Sequence, residues 1–210
     1  MTRTLIAVPC MDMVHTDFLE SMVNLQRIEG LSFTTVRSTL IAPARNMIAA
    51  SAIREGFDRV LWFDSDMKFA PDTLKRLSAH MDKGLHYVSG LYFSRRPPVI
   101  PIVYKEIWWS NKDGVCEHGA KNFFDYPDSL TECAASGFGC VMTSVDLLRR
   151  VGGKFGSPFA PLQGMGEDLS FCFRVIQLGE KMYFDPSIKC GHVGIQVFDE
   201  SLYEGEPNAE

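Results

Sequence analysis

Apolar residues change their period along this chain, and over the first 93 positions the change is regular. Leu5-Ile6-Ala7-Val8 is a short unbroken apolar run, the pattern of a strand covered on both faces, and Pro9-Cys10 closes it. From 15 to 28, Phe18, Leu19, Met22, Val23 and Leu25 fall at mostly helical spacing, and Gly30 suits the end of that helix. A second short strand is predicted at 32–36. Pro43 opens a helix that runs to Ile53 and stops near Gly56, proline being favourable at a first helical position. Val60-Leu61-Trp62-Phe63 is again the run of a doubly covered strand. Pro71-Asp72 starts a helix with Leu74, Leu77 and Met81 on one face, and 87–93 reads as a further strand. Strand and helix alternate throughout, which implies a parallel sheet flanked by helices. Such sheets bind ligands beyond the carboxyl ends of their strands.

After Phe93 the rhythm breaks. Ser94-Arg95-Arg96-Pro97-Pro98 is turn-rich, 99–104 is extended, and the stretch from Trp108-Trp109 to Pro127 reads as irregular. Neighbouring side chains of an extended chain point apart. One tryptophan is therefore expected on the core and the other in a groove, unless both cover a loop. Ser136 to Met142 is a glycine turn entering a strand. Ser144 caps a helix bearing Val145, Leu147, Leu148 and Val151, which Gly152-Gly153 is expected to stop. Gly164-Met165-Gly166-Glu167-Asp168 leads into another helix, where Leu169, Cys172, Phe173 and Ile176 form a core stripe. Two strands, at 181–184 and 188–192, flank an Asp185-Pro186 turn. The acidic residues 199–210 are expected to be a mobile tail, leaving one domain at 1–198.

Composition adds bounds. The chain has 210 residues, 46% hydrophobic and 22% charged, enough for one sizeable core. Its 21 basic and 26 acidic residues give a net charge of -5, so bulk charge offers no polyanion-binding surface. No apolar run reaches the ~18 residues of a membrane span, and the first residues lack the layout of a signal peptide; no membrane anchor is expected. The six cysteines form no Cys-x-x-Cys pair. They read as free thiols in a reducing, cytoplasmic compartment. No Gly-x-Gly-x-x-Gly, Walker or Gly-x-Ser-x-Gly pattern is present, which disfavours NAD, P-loop and serine-hydrolase chemistry.

Four groups of residues carry candidate chemistry. Asp64-Ser65-Asp66 ends the third strand, and residues i and i+2 of an extended chain share a side. Two adjacent carboxylates repel unless a cation or donor lies between them, and a hard divalent ion carrying phosphate oxygens suits the place. The plain alternative is an Asx-type turn. Glu167-Asp168 stands in the first turn of its helix, where the dipole alone favours acids; a carboxylate there could also take a proton from an acceptor hydroxyl or amine. His192 stands in Cys190-Gly191-His192-Val193-Gly194. A lone histidine is more often structural, but imidazole with two carboxylates suits manganese, or magnesium with waters. Arg45-Asn46 and Arg95-Arg96 are cationic candidates for phosphate.

In this order the elements resemble the GT-A glycosyltransferases, especially family-2-like and small phage or bacterial members. The resemblance rests on Ala44-Arg45-Asn46, Asp64-Ser65-Asp66, Gly137-Phe138-Gly139-Cys140, Gly166-Glu167-Asp168 and the histidine after Asp185-Pro186, over about residues 4 to 195. It implies a Rossmann-like, mostly parallel α/β sheet with a nucleotide-binding half at 1–93 and an acceptor-side half at 94–198. It implies a nucleotide-sugar donor, with UDP expected, whose diphosphate is held by Mn2+ or Mg2+ on Asp66 and His192, with Asp64 on the metal or the ribose. Pro9, Cys10, Arg45, Asn46, Ser65 and Arg95 are implied to line the donor site. Asp168 matches the family's general base, with Glu167 beside it, and an inverting course is favoured over a retaining one. The acceptor is a glycan, a protein or a modified base in phage DNA. Two other readings stay open: a nucleotidyltransferase or other nucleotide-sugar enzyme on a related fold, and an inactive sugar-nucleotide-binding module. The first usually has a glycine- and base-rich loop after strand one, which Pro9-Cys10-Met11-Asp12-Met13 is not.

Overall fold

The computed structural model describes residues 1–37, 40–194, 196–203 and 205. Its strands are β1 (Thr4–Cys10), β2 (Leu31–Arg37), β3 (Arg59–Phe63), β4 (Met67–Phe69), β5 (Tyr87–Leu91), β6 (Val103–Lys112), β7 (Val115–Asn122), β8 (Thr131–Cys133), β9 (Ala135–Ser136), β10 (Cys140–Ser144), β11 (Met182–Val193) and β12 (Val197–Phe198). The helices are α1 (Thr16–Asn24), α2 (Ile41–Arg54), α3 (Thr73–Met81), α4 (Val145–Phe155) and α5 (Glu167–Gln177).

The main sheet runs β12-β11-β5-β10-β3-β1-β2, with β4 and β8 paired to β11 off this path. β1 is parallel to β2 and β3, and β11 is parallel to β5. β10 alone interrupts this interior, lying antiparallel between β3 and β5. The sheet is thus mostly parallel and Rossmann-like, flanked by helices on both faces. The unbroken apolar runs follow from this. On β3, Val60 and Trp62 pack beneath α2, α4 and α5, while Leu61 and Phe63 pack beneath α1 and α3. Leu5 and Ala7 of β1 go to the first face, and Ile6 and Val8 to the second. Among the described residues no helix is long and apolar enough to cross a membrane.

Five local expectations need correction. The buried face of α5 carries Phe171, Cys172 and Val175, whereas Leu169 and Phe173 of the expected stripe are half-buried and Ile176 is exposed. The stretch from Trp108 to Pro127 is not irregular; most of it is a β6–β7 hairpin turned at Asp113-Gly114, both with positive φ (53° and 81°). Asp-Gly is the residue pair that such a two-residue turn demands. α4 runs through Gly152-Gly153 and ends at Gly156, whose φ of 84° supplies the left-handed cap. The two strands expected around Asp185-Pro186 are one strand, β11, with a register shift between Asp185 and Lys189. Asp185 pins that irregularity by accepting from Ser187 N at 2.9 Å and pairing with His80 Nε2 at 2.8 Å. The tail does not leave the domain at 199: Tyr203 donates to Phe124 O at 3.0 Å and its ring lies 5.4 Å from that of Phe93. Residues 204 and 206–210 of the expected tail lie outside the described residues.

Candidate functional site

The carboxyl ends of β1, β3 and β5 and the entry of β10 meet at one edge of the sheet. There Asp64 N donates to Gly139 O (3.2 Å) and Met67 N to Asp64 O (3.2 Å). This turn carries Asp64-Ser65-Asp66 from β3 into β4. β4 pairs with the end of β11, setting His192 opposite Met67, and Val193 N donates to Asp66 O at 2.7 Å. A long-range register therefore delivers His192 to the aspartates, 126 positions from Asp66, and leaves its Nε2 3.5 Å from Asp66 Oδ2.

The histidine's other nitrogen fixes its chemistry. Nδ1 lies 3.0 Å from Phe93 O, and toward a carbonyl it can only donate. Nε2 then presents either a second proton or a lone pair to the Asp66 carboxylate. Two acceptors facing each other call for a proton or a cation between them, and a backbone-anchored imidazole is the usual form of a metal-ligating histidine. Arg95 Nη1 pairs with the same Asp66 oxygen. Burial pushes the Asp66 carboxyl up, but its hydrogen bond to His192 and the charges of His192 and Arg95 outweigh this and hold it below the usual carboxylate range.

Asp64 is held differently. Arg45, one turn into α2, reaches it with Nη2 at 2.6 Å and places Nη1 3.1 Å from Glu167 Oε1. The Arg45 side chain is only 3% exposed and its guanidinium carbon lies 4.9 Å above the centre of the Phe138 ring. Burial lowers its affinity for its proton, yet Asp64, Glu167 and Asp168 together raise it above the ordinary value. Burial also pushes both Glu167 and Asp168 up, more than the charge of Arg45 pulls them down. Asp168 Oδ1 accepts from Leu169 N at 2.7 Å, and a Cβ on Gly166 would lie 2.9 Å from that oxygen.

One cavity of about 680 Å³ joins these groups. Pro9, Cys10, Arg45, Asp64, Ser65, Asp66, Arg95, Glu167, Asp168 and His192 all line it. Asn46 does not. Its Oδ1 accepts from Phe159 N at 3.0 Å, so its role is to hold the loop after α4. The three-ligand set expected for a metal is also not assembled. Among the described residues no group of three or more His, Cys, Asp and Glu side chains is placed to hold an ion. Asp66 and His192 converge, but Asp64 is tied to Arg45. The donor pair fits a cation that takes its remaining ligands from a bound anion and water, not an all-protein cage.

Sequence reasoning missed Tyr92, Met11, Ile41 and Ile102, which also line the cavity. Tyr92 directly follows β5, so its position at a strand end was the available signal. Its hydroxyl accepts from Gly139 N at 3.2 Å, and a Cβ on Gly137 would fall 2.0 Å from that oxygen. The glycines of Gly137-Phe138-Gly139 thus make room for Tyr92, while Phe138 underlies Arg45.

Among solved structures, A197 from STIV is similar to this chain, with a TM-score of 0.64 and 19% sequence identity, over 92% of this chain and 86% of that one. At that identity the likeness speaks for the fold. No family model and no curated protein matches the chain.

Proposed function

We propose that this protein is a GT-A-type glycosyltransferase that moves a sugar from a nucleotide donor, with a UDP-sugar the first expectation, to an acceptor glycan, protein or modified base. The observation that carries this reading is the meeting, in one cavity at the carboxyl edge of the sheet, of the Asp66–His192 pair with Glu167 and Asp168. The first is suited to a diphosphate with its counter-ion and the second to proton transfer. Asp66 and His192 would hold a divalent cation, which when bound supplies positive charge against the departing nucleoside diphosphate. Arg95 and Arg96, on the turn after β5, add fixed charge for the phosphates. Pro9, Cys10, Met11 and Ile41 form the side of the cavity left for the nucleoside. Asp168 takes the acceptor's proton, and its upward-shifted carboxyl makes it the stronger base. Arg45 keeps Asp64 and Glu167 in place across the cavity floor.

The test is a panel of nucleotide-sugars offered with Mn2+, with and without chelator, read by donor binding and by hydrolysis. Metal-dependent binding of at least one donor is expected, and its loss in Asp66→Ala with an unchanged circular dichroism spectrum. Failure of every donor to bind or turn over would remove the proposal.

A further inference from the structure

We propose that Arg95 is a resident cation on the Asp66–His192 pair, and that a divalent ion and a diphosphate must displace it together. The proposal deepens the reading of this cavity as a diphosphate site and rests on it. Three observations carry it. First, Asp66 Oδ2 serves both Arg95 Nη1 and, at 3.5 Å, His192 Nε2; an ion entering between aspartate and histidine needs that oxygen, and the guanidinium is on it. Second, the Arg95 side chain is free to leave. It is 50% exposed. The turn itself is pinned: the Ser94 hydroxyl lies 3.0 Å from both Arg96 O and Pro98 O and accepts from Ile100 N at 3.1 Å. Release is therefore a side-chain swing about a fixed backbone. Third, Arg96 lines the same cavity, and no ion pair engages it among the described residues. A swing of Arg95 off Asp66 leaves two unpaired cations in this cavity, Arg95 and Arg96.

The consequence is a coupling between two ligands. An ion alone must break the Arg95–Asp66 pair and leave the guanidinium with water as its partner. A diphosphate offers that guanidinium a new partner, and the ion then finds Asp66 vacant. By linkage the ion strengthens diphosphate binding by the same factor as the diphosphate strengthens ion binding.

Electron paramagnetic resonance of free Mn2+ tests this on the full chain, in wild type, Arg95→Ala, Arg95→Lys and Asp66→Asn, with and without UDP. Arg95→Ala is expected to bind Mn2+ alone tighter by up to about fivefold, the upper range for releasing a half-exposed ion pair. Arg95→Lys is expected to stay close to wild type, and Asp66→Asn to bind no Mn2+. UDP should tighten Mn2+ binding in wild type by a clearly larger factor than in Arg95→Ala. Equal or weaker Mn2+ binding by an Arg95→Ala protein that melts like wild type overturns the proposal, as does an absence of Mn2+ binding in both. If UDP still binds in that case, the functional reading stands without the latch. If Arg95→Ala gains Mn2+ affinity but no nucleoside diphosphate or nucleotide-sugar binds, Arg95 only guards Asp66 against the ion, and the coupling falls together with the functional reading.

Discussion

Arg45 is the side chain on which the cavity floor depends. It is buried, and its single positive charge is shared between Asp64, just beyond β3, and Glu167 at the start of α5. Removing one partner of a buried pair leaves the other charges uncompensated, at a cost of about 3 kcal/mol. Arg45→Met is therefore expected to lose about that much stability in urea unfolding, and to lose less when combined with Asp64→Asn and Glu167→Gln. Asp168 makes a prediction of opposite sign. Burial raises its carboxyl above the unfolded value, against the pull of Arg45 and of its hydrogen bond to Leu169. Its contribution is fully present below the unfolded value of about 3.9 and is lost as pH rises through the higher folded value. Asp168→Asn abolishes that loss. Its melting temperature should exceed that of wild type at pH 7, and the gap should close below about pH 4. The same variant should bind donor and fail in transfer; transfer at the native rate would remove Asp168 as the base.

At the scale of elements, the start of α5 and the β6–β7 hairpin act together. Trp109 Nε1 donates to Gln163 O at 3.1 Å, and the Cys116 thiol reaches the same carbonyl at 3.1 Å. The hairpin thus fastens the loop that delivers Gly166, Glu167 and Asp168. Its two tryptophans point apart, as extended neighbours must. Trp109 packs on Phe173 with ring centres 6.1 Å apart, while Trp108 lies across Gly119, where a Cβ would fall 2.1 Å from the indole. Neither lines the cavity at the sheet edge. Gly166 is the sensitive joint. Its φ of -58° suits any residue, so alanine there brings no backbone strain, only a Cβ pressed on the Asp168 carboxylate. Gly166→Ala should lower turnover with donor affinity unchanged and stability altered by no more than about 1 kcal/mol. Steady-state kinetics and donor titration check this together.

Over the whole molecule, the two halves of the sequence are not two folding units. β10 comes from the second half and lies between β3 and β5 of the first. Without it those two strands lose their shared neighbour and present two bare edges, and Trp62 loses its hydrogen bond to Thr143 (3.0 Å). A fragment of residues 1–93 is expected to lack a cooperative thermal transition and native near-ultraviolet dichroism. A fragment that melts cooperatively would show the halves to be autonomous. The site obeys the same logic, because Arg45, Asp64 and Asp66 come from one half and Glu167, Asp168 and His192 from the other.

Local chemistry determined a good deal by itself. Runs such as Val60 to Phe63 read as strands covered on both faces, since every residue is apolar and the run is too short for a buried helix. Proline and glycine marked most helix ends, and the Asp-x-Asp pair pointed to the carboxyl end of a strand, where the cavity lies. Asp113-Gly114 has the chemistry of a hairpin turn, yet the stretch around it reads as irregular, because long aromatic and charged strands outside the main sheet lack the apolar alternation that announces a core. What the tertiary structure decided is pairing across distance. The antiparallel place of β10, the β4–β11 register that sets His192 beside Asp66, and the choice of Arg45 for Asp64 and of Arg95 for Asp66 all join residues far apart in sequence. A side chain's sequence neighbours fix its conformation and period, but its counter-charge is fixed only when sheet register and burial bring one partner within reach and exclude the others.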